Sequence, residues 1–423
     1  MSAQVIERET TVLVSWKVAI AFTVFTVLSG VLLLGFPHSA DVTYKLTPSE
    51  EAFQLAPLVV PSVVVNSVVL VVLAGITVAA VLLTRARRRV PLWLTVIFAI
   101  AAFMGFMTWA ASAATTPIVP LPGLLAGGLS LSVPLVFGAM SGVIGERSGV
   151  VNIAIEGPLL AGAFTSALVA SVTQNPWAGL IAAMVAGALV ASLLAVFAIR
   201  YWVDQVIVGV VLNVLVIGLT NFLFSEVLAG NAGLLNTPPR FDRIDIPVLG
   251  DIPLIGPMFF RQTVIVSVMY VAVAAVAFAL AKTRWGLRTR AVGEHPTAAD
   301  TVGIRVNRMR TMNVLIAGAI AGFGGAFFTL GAVGAFNKEM TAGAGYIALA
   351  AVIFGKWDPI KATLAALLFG FASNIQNTLG VMGSPVPSEF MLMLPYLVTV
   401  FAVAGLVGRS RPPAADGEPY KKA

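Results

Sequence analysis

The chain has 423 residues, of which 58% are hydrophobic and 11% charged, with a net charge of +7 and a mean hydropathy of +0.95. Soluble domains carry about 25% charged residues, so the composition excludes an ordinary soluble enzyme and identifies a polytopic membrane protein. The basic balance follows from the positive-inside rule and gives no reason to invoke nucleic acid; with no cysteine, disulfides, thiolate metal sites and a thiol nucleophile are excluded as well.

Crossing roughly 30 Å of hydrocarbon takes about 20 apolar residues as a helix. In chain order, spans are predicted over 16–36, 57–83, 91–114, 121–144, 151–172, 177–200, 205–228, 262–281, 312–335, 343–357, 361–379 and 388–408. The fold class is all-α polytopic with about 12 transmembrane helices (range 10–12), because a barrel would show alternating ten-residue segments instead. The tenth span is short, and charge interrupts the fourth and fifth. The first, Val18–Phe36, is too long for the apolar core of a signal peptide.

Four regions follow: a cytosolic segment 1–15, a three-helix membrane extension 16–120, a core 121–408, and a polar, proline-bearing tail 409–423 expected to be disordered. Placing residue 1 in the cytosol puts Arg85, Arg87, Arg88, Arg89, Arg147, Arg200, the basic residues of 282–310, Lys356 and Lys361 inside, and leaves only Lys45, Arg240, Arg243, Arg261 and Lys338 outside. Both termini and the 282–311 loop are therefore expected in the cytosol. The outside loop 229–260 reads as a cap on an external mouth, a partner site or a plain connection.

GAMSGVIG at 138–145 and GAIAGFGG at 318–325 share small residues at four-residue spacing, a pattern that lets helices approach closely in lipid. In the deduced topology they run in opposite directions, the relation of inverted repeats in transporters. Between the fourth and fifth spans, GERSGVVNIAIEGPLLAGAF (145–164) places Glu146, Arg147, Asn152 and Glu156 where apolar sequence is expected. Glu146 and Arg147 read as a solvated cytosolic turn. Asn152 and Glu156 read as lining a broken helix pair beside a permeation path, since irregular backbone and ionisable groups at membrane depth mark functional cavities. Asn213 and Thr220 share a helical face, as do Asn374, Asn377 and Thr378. A buried amide without a partner is costly, so these faces point inward, toward either a small neutral solute or a neighbouring helix.

The longest charged interruption is KTRWGLRTRAVGEHPTAADTVGIRVNRMRT, residues 282–311. Pro296 suits a first helical position and Gly303 the left-handed residue past the end, with Ala298, Ala299 and Val302 as a small apolar face. Two turns of helix lie well below the roughly 12–15 residues at which isolated helices become marginal, so something must pack on this one. Arg284, Arg288 and Arg290 on one side and Arg305, Arg308 and Arg310 on the other are expected at the membrane surface. The loop reads either as a knob offered to a soluble partner or as a plain basic loop. No Walker-type phosphate loop occurs, because FGKW at 354–357 lacks the first glycine and the hydroxyl residue.

GERSGVVNIAIEGPLLAGAF and RAVGEHPTAADTVGI, followed by FGGAFFTLG and GAGYIALAAVIFGKWDP, resemble the permease subunits of ATP-binding-cassette importers for nucleosides and simple sugars over about 121–408. The resemblance implies a permease core with a coupling loop in which Gly293, Glu294, Pro296, Ala298, Ala299, Asp300 and Gly303 seat in a groove of the ATPase. It further implies no cofactor bound directly, ATP and Mg being held by a partner ATPase subunit. A second permease subunit and an extracytoplasmic solute-binding lipoprotein complete the assembly in the cytoplasmic membrane. Pro158 stands where the family commonly has a large apolar residue. Two rivals remain: an ion-coupled secondary carrier, for which Glu156 is the one suitable acid, and a non-transporting membrane scaffold.

Overall fold

The computed structural model describes residues 15–48, 54–387, 389–391, 393 and 411–422. Helices α1 (Lys17–Gly35), α2 (Ser62–Arg85) and α3 (Leu92–Ser112) form the N-terminal extension. Stacked Phe22 and Phe98 rings, 4.0 Å between centroids, and a 2.8 Å Thr26–Thr77 hydroxyl bond tie them together. Strand β1 (Asp41–Lys45) pairs antiparallel with β2 (Leu58–Pro61) and parallel with β3 (Ile118–Pro120). This small sheet therefore joins the same end of three helices. The extension meets the core through Phe103 and Phe371, 5.3 Å apart, and a cluster including Trp109, Leu124, Ile375 and Leu379.

The core contains α4 (Leu121–Arg147), α5 (Glu156–Thr173), α6 (Pro176–Ala195), α7 (Gln205–Leu223), the single turn α8 (Ala232–Leu235), and a β4 (Arg243–Asp245) to β5 (Arg261–Thr263) hairpin. There follow α9 (Val264–Lys282), α10 (Arg284–Glu294), α11 (Pro296–Thr301), α12 (Val306–Ala326), α13 (Ala344–Phe354) and α14 (Pro359–Met382). Helix starts follow local chemistry: Asn175 accepts from Trp177 N–H with Pro176 at the first position of α6, Asp204 accepts from two amides of α7, and Asp358 caps α14. Pro158 sits in the first turn of α5, within a continuous helix.

Among the described residues, ten helices are long and apolar enough to cross a membrane. Two of the expected twelve spans are not among them. Helix α13 has 11 residues, which at 1.5 Å per residue cover only about half of a bilayer core; nearly all of the expected span 388–408 lies outside the described residues. The ninth begins at Val306 rather than at 312.

The centre is α5, whose apolar stretch is 78% buried against 17% for α1. Small residues set how closely its neighbours pack. A Cβ on Gly187 of α6 would lie 2.2 Å from the Gly318 carbonyl of α12, and one on Gly162 of α5 would lie 2.2 Å from the Gly322 carbonyl. The 318–325 motif is thus the surface on which α12 meets α5 and α6. The 138–145 motif does the same for α4 against α13, where Gly138 and Gly142 face Ala348 and Val352.

Hydrogen bonds sort the connections into two ends. At one, Arg147 reaches Trp357, Val151 reaches Gln205 and Arg310 reaches Ser148. At the other, Thr115 reaches Gly383, Phe241 reaches Leu330 and Asn236 reaches Phe336. The connections at the first end carry the dense Lys and Arg of the sequence.

Candidate functional site

Inside the core, the chain breaks twice at one place. After α4 it runs through a short 3-10 turn, Ile153–Ile155, into α5; after the π-helical end of α12 it turns back and starts α13. The beginnings of α5 and α13 meet, and the Glu156 carboxylate joins them. It accepts from Thr341 Oγ1 at 2.6 Å, Gly343 N–H at 2.9 Å and Gly345 N–H at 2.5 Å. Two of these donors are orphan amides at the start of α13, so Glu156 caps that helix from outside it. Gly345 is required by the approach, since a Cβ there would lie 2.4 Å from Glu156 N.

Asn213 of α7 secures the other side. Its Oδ1 accepts from Gly157 N–H at 2.8 Å, and its Nδ2 donates to the Ile153 carbonyl and to Tyr346 Oη. The break expected within 145–164 is present, between the end of α4 at Arg147 and the start of α5 at Glu156. Its polar groups, however, are engaged with protein: Asn152 donates to Ser141 Oγ, and Thr220 returns to the Val216 carbonyl of its own helix. Glu156 and Asn213 are brought together, with Asn152 on the same connection. Asn374 lies elsewhere, donating to the Leu124 carbonyl at 2.8 Å. Beside it Asn377 is exposed in an open groove of about 310 Å³ that Lys45, Thr116 and Thr378 also line. Tyr346, 45% exposed at the junction, was not singled out from the sequence; its one signal is its place in GAGYIALA, where a lone aromatic interrupts small residues.

At the basic end, the 282–311 stretch is two helices rather than one knob between loops. Pro296 does occupy the first position of α11, and Gly303 does take the left-handed conformation, with φ +85°. Gly303 N–H and Ile304 N–H close the helix on Asp300 and Ala299 carbonyls. The expected apolar face divides. Ala299 is buried at 3% exposure while Val302 is 75% exposed. Gly293 packs α10 on the end of α4, since a Cβ there would sit 2.3 Å from the Arg147 carbonyl.

Three expectations are corrected here. Glu146 and Arg147 are not a solvated turn: Glu146 is buried and accepts from Trp357 Nε1, while Arg147 Nε donates to the Trp357 carbonyl at 2.9 Å. Arg310 is not at a membrane surface. It is 1% exposed and donates to the carbonyls of Ser148, Glu418 and Ala415. The tail is corrected with it, because residues 411–422 pack on this end instead of lying disordered. Burial pushes the Asp416 carboxyl up to about 7, against the opposing pull of Arg310 and of Gly417 N–H. One oxygen of Asp416 and one of Glu146 are buried without a hydrogen-bond partner.

Residues 124–403 match the family described as branched-chain amino acid transport system / permease component. The chain belongs to this permease family. The permease is 43% identical over 303 residues to the guanosine ABC transporter permease protein NupQ of Bacillus subtilis (strain 168), across 70% of its own length and 95% of that relative. It is 38% identical to the nucleoside ABC transporter permease protein NupC of Lactococcus lactis subsp. cremoris (strain MG1363), across 71% and 96% of the two chains. With the putative glucose ABC transporter permease protein TsgC13 of Haloferax volcanii it shares 34% identity, across 60% and 77%. No solved structure matches the permease. The family match leaves α1 to α3 and the tail outside it.

Proposed function

We propose that the chain is the membrane permease subunit of an ATP-driven importer that moves a nucleoside inward by alternating access. The observation that carries this reading is the 43% identity to a guanosine permease over 95% of that relative's length, supported by a two-helix element, α10 and α11, on the basic end of the bundle. In this reading α11 is the coupling helix, and Gly293 and Glu294 at the end of α10, Pro296, Ala298, Ala299 and Asp300 of α11, and Gly303 just past it form the coupling loop. Val302 and Leu287, 75% and 62% exposed, face an ATPase subunit that holds ATP and Mg. In this reading the basic end and both termini face the cytosol, an orientation supported by the Lys and Arg distribution. A second permease subunit and an extracytoplasmic solute-binding lipoprotein complete the assembly in the cytoplasmic membrane, and the chain itself hydrolyses nothing.

Alternating access needs elements that can adopt two arrangements. The junction of α5 and α13 is such a place, because neither helix start relies on its own backbone for capping. The half-length α13 meeting α5 at depth follows the discontinuous-helix arrangement on which transporter sites are built. Glu156 and Asn213 hold the junction in register, and the solute meets Tyr346, whose partly exposed ring suits stacking on a nucleobase. Asn377 in its groove is a further contact.

The test is uptake of labelled guanosine into vesicles holding the permease with its ATPase and binding protein. ATP-dependent uptake that Ala298→Arg abolishes, and for which Tyr346→Ala but not Tyr346→Phe raises KM, supports the reading. Uptake that persists without nucleotide and collapses with a proton or sodium uncoupler would make the chain an ion-coupled carrier.

A further inference from the structure

Helix α11 has six residues, far below the roughly 12–15 at which an isolated helix becomes marginal, so its position depends on what it packs against. Among the described residues of α11 only Ala299 is buried. Its apolar cluster contains Val292 of α10, Val306 of α12 and Tyr420 of the tail. The ring that closes the knob's small core thus comes from the far end of the sequence. Burial and the carboxylate of Asp300, also on α11, raise the Tyr420 phenol above its ordinary pKa.

The tail is fastened at four further points. Ala415 N–H donates to the Gly293 carbonyl at 2.9 Å, and Ala414 N–H donates to Glu294 Oε2 at 3.2 Å. The Arg310 guanidinium, buried in α12, donates to the carbonyls of Glu418 at 2.7 Å and Ala415 at 3.4 Å, while its Nε holds the Ser148 carbonyl at the end of α4. A buried cation is costly unless its donors are satisfied, and two of the three acceptors belong to the tail. Lys421 Nζ lies 4.9 Å from the centre of the Trp202 ring, which anchors the strap to the connection between α6 and α7.

We propose that residues 411–422 are a brace that fixes the coupling helix against α4 and α12, with Tyr420 as its positioning residue, so that a push on Val302 reaches the bundle instead of bending the loop. The proposal rests on the reading of α11 as the coupling helix. With Ala299 committed to Tyr420, Val302 and the exposed face of Ala298 remain for the ATPase, and the seat it meets is composed of knob and tail together.

The chain has no cysteine, so Val302→Cys carries a single nitroxide. In the full permease–ATPase complex, Tyr420→Ala and a stop codon at 411 are expected to give a mobile nitroxide spectrum. In the unlabelled chain with Val302 retained, both should lower solute imported per ATP hydrolysed by at least roughly fivefold, the low end of ordinary site-to-site coupling. Tyr420→Phe, which keeps the ring, is expected to preserve both. An immobile spectrum and an unchanged ratio in Tyr420→Ala overturn the brace. Should the truncated chain fail to fold, Tyr420→Ala decides alone. Ala298→Arg separates the two readings: if it leaves the ATPase attached and coupled, the coupling assignment itself fails, and if it uncouples while Tyr420→Ala changes nothing, only the brace fails.

Discussion

Asn213 and Thr220 look equivalent in the sequence, two hydrogen-bonding side chains on one apolar helix, and the structure gives them different work. Asn213 satisfies an amide of α5, a carbonyl of the 3-10 turn and the Tyr346 hydroxyl. Asn213→Ala orphans the first two, each at about 1–3 kcal/mol, and is expected to lower the thermal midpoint of the purified permease markedly. Thr220→Ala removes only bonds back to its own helix, to the Val216 and Ile217 carbonyls, and leaves no other element without a partner, so its midpoint should fall less than that of Asn213→Ala. Equal midpoints for the two variants would contradict this account. Asp416 gives a pH dependence. The groups facing it are Arg310 from α12, Glu146 from α4 and Gly417 N–H in the tail. Its docked pKa of about 7 stands above the ordinary 3.8, so its contribution to tail docking is complete below 3.8 and is lost as pH rises to about 7. Amide exchange over 411–422, corrected for intrinsic rate, should therefore be faster at pH 8 than at pH 5, and Asp416→Asn should flatten the difference.

At the level of single elements, what could be read from the sequence was what neighbouring residues decide. Pro296 and Gly303 mark the ends of α11 because first-position and left-handed preferences act within a few bonds. The ten long spans were legible for the same reason, since length and apolarity suffice. The partners of Glu156 were not, because Thr341 lies 185 positions away and nothing local to either residue announces the other. The buried Arg310 was hidden by an ordinary rule: arginine beside a span is usually at the interface, and only the tail's carbonyls make another location tolerable. The glycine motifs pointed to close packing, and the structure supplies the surfaces. Gly187→Ala would put a Cβ 2.2 Å from the Gly318 carbonyl, so folded yield should fall sharply. Gly218→Ala, with nothing within 4 Å, should be neutral or stabilising by up to about 1 kcal/mol through helix propensity. A fluorescence-detected size-exclusion profile of both variants checks the contrast.

For the whole molecule, the two-ended sorting of connections makes a prediction about sidedness. Single cysteines at Arg87, Val302 and Lys356 should react with an impermeant reagent only from the cytosolic side, and those at Lys45, Arg243 and Lys338 only from the other; a mixed pattern would break the topology. The larger lesson concerns the basic end, where segments from α4, α10, α11, α12 and the tail interlock. Tyr420 and Ala299 share one packing unit although more than a hundred residues separate them. A bulkier side chain at one requires a smaller one at the other. Chimaeras grafting residues 284–303 from a related permease should consequently stay poorly matched until the donor's own last stretch is transplanted with them, and comparison across relatives should show these two positions drifting in concert.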